Sequence, residues 1–286
     1  MPLVVQDARK HILKPHEKNM DKIFKAIQDR DMALTMYQLD KASCDVDVED
    51  SDGSTPLIWA AVEGFQAIIQ ILLERRASIN HRDRYGMTPA LYAALTGDIY
   101  MFQTLVFKGA DFNAEDNNGV SALELAARFG SLEIGKYLIE EGFNVNHKTR
   151  HGSTPLIWAS YYGQTEFGLL LLSFDASINH HDLCGCTPLI YAARKGHVSM
   201  VGMLLDRGAN INERTSMKSR FFSKAKKKII DMGCDWTPLM VAVLENNYDT
   251  IRLLISRGAS LKLRNDAGQD ALQLADSDFV KKLLIK

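Results

Sequence analysis

His151-Gly152-Ser153-Thr154-Pro155-Leu156-Ile157-Trp158-Ala159-Ser160-Tyr161-Tyr162-Gly163 is the stretch that decides the fold, because its punctuation is complete and it recurs along the chain. Gly152 suits a tight turn, Thr154 is a natural N-cap, and Pro155 takes the first helical position, where a missing N–H costs nothing. Gly163, nine residues past Thr154, tolerates the left-handed conformation that ends a helix. The stretch therefore predicts a turn followed by a helix of barely two turns.

The Thr-Pro-Leu signal returns every 33 residues, at Thr55, Thr88, Thr154 and Thr187, with Ser121 filling the place between. Thr237 and Asp270 continue it after one break. The closing glycine returns as Gly64, Gly97, Gly130 and Gly196, with Asn246 in the sixth copy. A second apolar-periodic run follows each first helix, such as Val198 to Leu205, and ends at Gly109, Gly142, Gly208 and Gly258. Arg76 and Asp175 hold that closing place in the first and fourth copies, where strain is expected. A two-helix unit of this length cannot bury its apolar face alone, so stability comes from stacking on the next copy. The fold class is an all-α solenoid.

Composition narrows the function. Lys and Arg number 34 against 35 Asp and Glu, so no global field draws the chain to nucleic acid or an anionic membrane. Met1 to Asp7 is too briefly apolar for a signal peptide, and no stretch approaches the roughly 18 apolar residues of a membrane span. Four cysteines suit a reducing compartment, so cytoplasm or nucleus is the expected location. No phosphate-cradling Gly-rich loop, Gly-x-Ser-x-Gly elbow or His-Glu-x-x-His occurs. The expected protein is no enzyme, takes no small-molecule substrate and needs no cofactor. His180, His181, Cys184, Cys186 and Cys234 form the nearest approach to a metal site, but Cys-x-Cys is not a structural-zinc spacing, and ordinary turn residues are the favoured reading.

These motifs resemble the ankyrin-repeat family, in its pattern of turn Gly, Thr-Pro-Leu, Ala-Ala, Gly, Leu-Leu and Gly-Ala. The resemblance covers roughly nine tenths of the chain and implies about eight stacked helix-turn-helix units, caps included. Residues 1–19 are set apart as a flexible N-terminal segment, and residues 20–286 are expected to form one monomeric domain. The family's usual His after Thr-Pro-Leu is replaced by Ile58, Leu91, Glu124, Ile157, Ile190 and Met240, so the hydrogen bond that His gives is expected to be missing. Asn80, Asn113, Asn146, Asn179 and Asn212 share one place and read as turn-stabilising asparagines.

The resemblance further implies a partner-binding groove of turn tips and first helices, which maps here onto Tyr85, Met87, Arg128, Phe129, His151, Tyr161, Tyr162, Arg194 and Trp236. Such side chains suit binding hot spots; they also suit cover between neighbouring repeats. The series Trp59, Tyr92, Leu125, Trp158, Tyr191 and Val241, four past each Thr place, is either groove or inter-repeat glue, with glue favoured.

Thr187 to Thr237 spans 50 residues rather than 33, so 17 extra residues enter the turn region, assigned to 214–233. They contain Lys218, Arg220, Phe221, Phe222, Lys224, Lys226, Lys227 and Lys228, a basic finger without acids. One reading is a solvated, disordered loop. Another is a contact arm for an acidic partner or anionic lipid, in which Ser219 and Ser223 would be phosphorylation sites, and a third is nuclear import or nucleic-acid tethering. The leading functional expectation is a protein–protein interaction adaptor or scaffold. A tether acting through the finger and a regulatory or inhibitory subunit are the alternatives.

Overall fold

A computed structural model of the chain describes residues 22–41, 45–216, 219–223 and 225–285. Residues 1–19, Lys218 and Lys224, each named above, and Cys44, the fourth cysteine, lie outside the described residues. The chain divides into two compact units, 1–143 and 144–286.

In the first unit the described helices are α1 (Lys22–Gln28), α2 (Met32–Leu39), α3 (Pro56–Glu63), α4 (Gln66–Glu74), α5 (Pro89–Thr96), α6 (Ile99–Phe107), α7 (Ala122–Phe129) and α8 (Leu132–Glu140). Each odd helix pairs antiparallel with the next and packs on the first helix of the following copy, α1 on α3, α3 on α5 and α5 on α7. The core runs between these layers through Phe24, Leu57, Ile68, Leu72, Leu91, Phe102, Leu105, Leu123 and Leu138, all essentially fully buried. Burying a Leu or Phe side chain gives roughly 1.5–3 kcal/mol, and adjacent copies share that burial. The stack is thus the source of stability that no single copy has.

The second unit repeats the scheme in α9 (Pro155–Tyr162), α10 (Thr165–Ser173), α11 (Pro188–Lys195), α12 (Val198–Asp206), α13 (Pro238–Leu244), α14 (Tyr248–Ser256), α15 (Ala271–Leu274) and α16 (Asp278–Ile285). First helices stack as α9 on α11, α11 on α13 and α13 on α15. Short local signals set each boundary. Thr55, Thr88, Thr154, Thr187 and Thr237 accept the N–H three residues on, and Pro follows each one. Ser121 lacks the Pro and instead forms a capping box with Glu124, so in this copy the residue standing where His was expected supplies its own hydrogen bond. The terminal α15 is capped in the same way by Asp270 and Gln273.

Left-handed backbone falls where the sequence placed it. Gly64, Gly97, Gly130, Gly163 and Gly196 have φ of 65° to 76°, and Asn246 has 56°. Arg76 and Asp175 adopt φ of 65° and 62° without being glycine, a conformation that costs an L-residue about 1–2 kcal/mol. The asparagines bind backbone of the following copy: Asp111 N–H donates to Asn80 Oδ1 at 2.9 Å, Ser177 N–H to Asn146 at 2.7 Å, and Asn210 N–H to Asn179 at 3.0 Å. Turn tips are joined as well, with Arg84 N–H on Asp52 O, Asn117 N–H on Tyr85 O and Leu183 N–H on His151 O.

The insertion departs from the disordered-loop reading. Residues Ser219–Ser223 (β1) and Lys228–Met232 (β2) form an antiparallel hairpin, in the register Phe221 opposite Ile230 and Phe222 opposite Ile229. Aromatic and β-branched residues flanking a short turn favour that ladder. The hairpin springs from a turn tip whose base is ordinary: Thr215 N–H donates to Trp236 O at 3.0 Å, as Asp182 N–H donates to Cys186 O at 3.1 Å. Three residues lie between Asp182 and Cys186 and twenty between Thr215 and Trp236, a difference of 17, so the insertion occupies the tip alone. A two-stranded hairpin is marginal by itself. This one is tied down by an ion pair between Lys226 and Asp276 and by Ala225 N–H on Glu245 Oε2 at 3.3 Å.

Candidate functional site

Turn geometry positions the site. In three copies an aspartate five residues before the N-cap folds the turn around one carboxylate oxygen and holds an aromatic ring with the other. Asp50 Oδ1 accepts Asp52 and Ser54 N–H, and its Oδ2 accepts Trp59 Nε1–H at 2.7 Å. Asp83 accepts Tyr85 and Met87 N–H, each at 2.9 Å, and Tyr92 O–H at 2.5 Å. Asp182 accepts Cys184 N–H, Cys186 N–H and, at 2.6 Å, Tyr191 O–H. Burial, with Asp83 beside it, pushes the Tyr92 hydroxyl far above its ordinary range; burial does the same at Tyr191, with Cys186 and Asp182 adding to it. Both phenols are neutral donors. Burial also pushes the Cys186 thiol up to about 12.

The fourth copy breaks this rule. Thr149 stands in the aspartate's place, and its hydroxyl accepts only Ser153 N–H, at 3.2 Å. The aromatic that belongs to it, Trp158, has no hydrogen-bond partner among the described residues. A second substitution accompanies the first. The place just before the N-cap is filled by buried Met87, Val120, Cys186 and Trp236 in four other copies and by buried Ser54 in the first, whereas here it is half-exposed Ser153.

A pocket of about 230 Å³ results, lined by Ser153, Ile157, Trp158, Tyr161, Tyr162, Tyr191 and Arg194. Helical spacing assembles most of it. Trp158 and Tyr162 are i and i+4 on α9 and stack with centroids 6.1 Å apart. Tyr161 meets Tyr162 edge-on at 4.9 Å and Tyr191 of α11 at 5.7 Å. Cations cover these rings: the Arg194 guanidinium lies 4.9 Å from the Tyr191 centroid and 5.8 Å from that of Tyr161, and Lys195 Nζ lies 4.1 Å from Tyr161. Below, His197 Nε2 lies 3.0 Å from Tyr161 O. Its ring fills the space where a Cβ on Gly163 would approach Nδ1 to 2.7 Å, so the end of α9 requires glycine on two counts.

Of the residues expected in a groove, Tyr161, Tyr162 and Arg194 come together in this pocket. His151 is exposed on the adjoining turn. In the first unit Tyr85 is 53% exposed beneath Arg84, and Arg128 lies over the Phe129 ring at 5.0 Å. Met87 and Trp236 are corrections. They are 8% and 5% exposed, because the place before the N-cap faces the core, and they offer no surface to a partner. In the aromatic series Tyr92, Leu125 and Val241 are buried, while Trp59, Trp158 and Tyr191 are half-buried, so glue and pocket divide the series between them. Trp158 and Tyr191 escaped the site reading because their value depends on Thr149 and Ser153, which no local periodicity marks.

In the basic finger, Arg220, Phe221 and Phe222 belong to β1 and Lys228 to β2. Lys227 is exposed and Lys226 is engaged by Asp276. Ser223 is fully buried, with its Oγ accepting Lys226 N–H at 3.1 Å, so it is closed to a kinase in this conformation. The imidazoles near the cysteines serve turn contacts: His180 Nε2 lies 2.9 Å from Gly152 O, as His81 lies from Gly53 O, and His181 pairs with Glu213 at 3.4 Å.

Comparison with known proteins agrees with this architecture. A model of ankyrin repeats in three copies matches residues 23–116, 80–149, 97–182 and 123–215, and a single ankyrin-repeat model matches 234–266. The ankyrin repeat domain of human ASB11 superposes with a TM-score of 0.67 at 27% identity, over 81% of this chain and 97% of that one. The ankyrin repeat domain of Bcl-3, a unique member of the IkappaB protein family, gives 0.62 at 26% identity, over 82% of this chain and all of that one. Ankyrin repeat and SAM domain-containing protein 6 of Danio rerio is 33% identical over 67 residues, which are 23% of this chain and only 9% of that protein. Ankyrin repeats are protein–protein interaction modules, and no catalytic family is indicated. With its repeat models matched over most of its length, this chain belongs to the ankyrin-repeat family.

Proposed function

We propose that the chain is a non-enzymatic adaptor that docks a segment of a partner protein on the aromatic surface around Trp158, Tyr161, Tyr162 and Tyr191. The pocket carries this reading: it is concave, aromatic, rimmed by cations and built where four other copies place a buried Met, Val, Cys or Trp. Large rings with polar edges give much contact area at small entropic cost, which is why they dominate binding energy at interfaces.

The test is affinity capture from cell lysate with wild type beside the double variant Tyr161→Ala/Tyr162→Ala, scored by mass spectrometry, with helical content followed by circular dichroism. Proteins retained by wild type and lost from an equally helical variant support docking here. An unchanged set of captured proteins sinks it.

A further inference from the structure

The repeats of this chain show what an aromatic at the Trp158 place is bonded to: a carboxylate. Trp59 donates to Asp50, Tyr92 to Asp83 and Tyr191 to Asp182. The fourth copy keeps the donor and lacks the acid, since position 149 is threonine. A half-buried indole N–H that gains no bond in the free protein gains more from an incoming acceptor, particularly a charged one.

The surrounding charge favours the same ligand. Lys148 and Arg150 flank Thr149, both are exposed, and no described residue pairs with either. Lys195 and Arg194 lie over the pocket's rings. The neighbouring acids are already engaged: Asp182 by its own turn and Tyr191, Glu213 by His181 and by Asn210 at 2.7 Å, and Asp235 by Arg214 at 3.3 Å. Arg194 and Lys195 over the rings, with exposed Lys148 and Arg150 on the turn that precedes α9, put positive charge around an aromatic hollow beside carboxylates that are already engaged. A volume of about 230 Å³ exceeds the roughly 150 Å³ that admits a benzene, so one leucine- or phenylalanine-sized side chain fits.

We propose that this pocket recognises an acidic segment of a partner protein, seating one large apolar side chain among the rings while a neighbouring Asp or Glu takes the Trp158 indole N–H and the Lys148–Arg150 rim. It rests on the docking reading above and adds the chemistry of the partner. The partner's carboxylate replaces the aspartate missing from the fourth repeat.

Three nine-residue peptides with a central leucine test it by calorimetric titration of the full chain, the flanks being Asp and Glu, Ser, or Lys. The acidic peptide is expected to bind at least tenfold more tightly than the Ser peptide, to weaken as salt is raised, and to outcompete the Lys peptide by more. Thr149→Asp supplies the carboxylate within the repeat and should cut the acidic peptide's affinity at least tenfold, leaving the Ser peptide's unchanged. Arg150→Glu, at an exposed site, should lower the acidic peptide's affinity and raise the Lys peptide's, with helical content followed by circular dichroism. Equal binding of all three peptides, lost in Tyr161→Ala/Tyr162→Ala, would overturn the acidic assignment and leave the docking surface standing. Binding by none would also overturn it, while lysate capture decides separately on docking.

Discussion

Asp83→Ala and Asp83→Asn separate two ways in which a buried aspartate can hold a repeat together. Asp83 is 6% exposed and accepts two turn N–H groups and the hydroxyl of Tyr92, itself 4% exposed. Alanine removes three bonds and strands their donors. At about 1–1.5 kcal/mol each, the loss is about 3–5 kcal/mol. Asparagine keeps an oxygen for the two N–H groups, and Tyr92 can turn its hydroxyl to accept from the new amide, so the cost is about 1 kcal/mol. Urea unfolding followed by circular dichroism reads the difference: with a slope of about 2 kcal/mol per M, the alanine midpoint falls by about 2 M and the asparagine midpoint by about 0.5 M. pH adds a second check. Burial raises the Asp83 carboxyl above its ordinary 3.8, against the lowering effect of its hydrogen bonds. A carboxyl raised in the folded state binds its proton more tightly there, so its contribution is fullest below 3.8 and declines as pH climbs through the folded value. Wild type should therefore gain on Asp83→Asn as the solution is acidified. An asparagine variant as damaged as the alanine one, or an advantage that grows with rising pH, would show that charge rather than acceptor geometry holds the turn and refute this account.

Arg76→Gly relieves a left-handed residue at a place where Gly109, Gly142, Gly208 and Gly258 meet nothing within 4 Å; thermal unfolding should show a gain of about 0.5–1 kcal/mol after the extra freedom of glycine in the unfolded chain is counted, and a loss would contradict it. Ser160 is fully buried and its hydroxyl has no partner among the described residues, whereas Ala61, Ala94, Ala127 and Ala193 hold the same place. Ser160→Ala should stabilise by about 1 kcal/mol in urea titration, and destabilisation would mean the hydroxyl is satisfied. Differential alkylation at pH 8 with peptide mapping should label exposed Cys184 well before buried Cys186, whose thiol burial holds near 12; equal rates would show that the turn opens freely.

Local rules carried the fold because each repeat is written in local chemistry. Thr-Pro at an N-cap, Gly or Asn in the left-handed closing place and a 33-residue period need no knowledge of distant residues, and even the strained Arg76 and Asp175 followed from position alone. Burial within the turn was harder. Met87 and Trp236 came in as tip residues with the family resemblance, but the place before the N-cap faces inward, which only stacked copies reveal. The hairpin was hidden by its lysines: a charge run reads as solvated chain, while the counterparts of Phe221 and Phe222 lie across the turn at Ile230 and Ile229. A search for strand-forming residues on both sides of a four-residue gap would have found it. The pocket emerged from two absences, an acid at position 149 and a large residue at 153, and absence becomes legible only when the copies are aligned against one another.

The neck of that hairpin has a consequence for how surface is added to such a chain. Thr215 and Trp236 close the tip with the bond that closes a three-residue tip, so whatever grows beyond them leaves that closure unchanged. Because a loop's closure entropy depends only weakly on its length, the tip acts as a socket. Foreign segments of very different size can be exchanged there while the helices beneath keep their register, and tips of this kind are where one would graft a new recognition element, or look for one gained in descent.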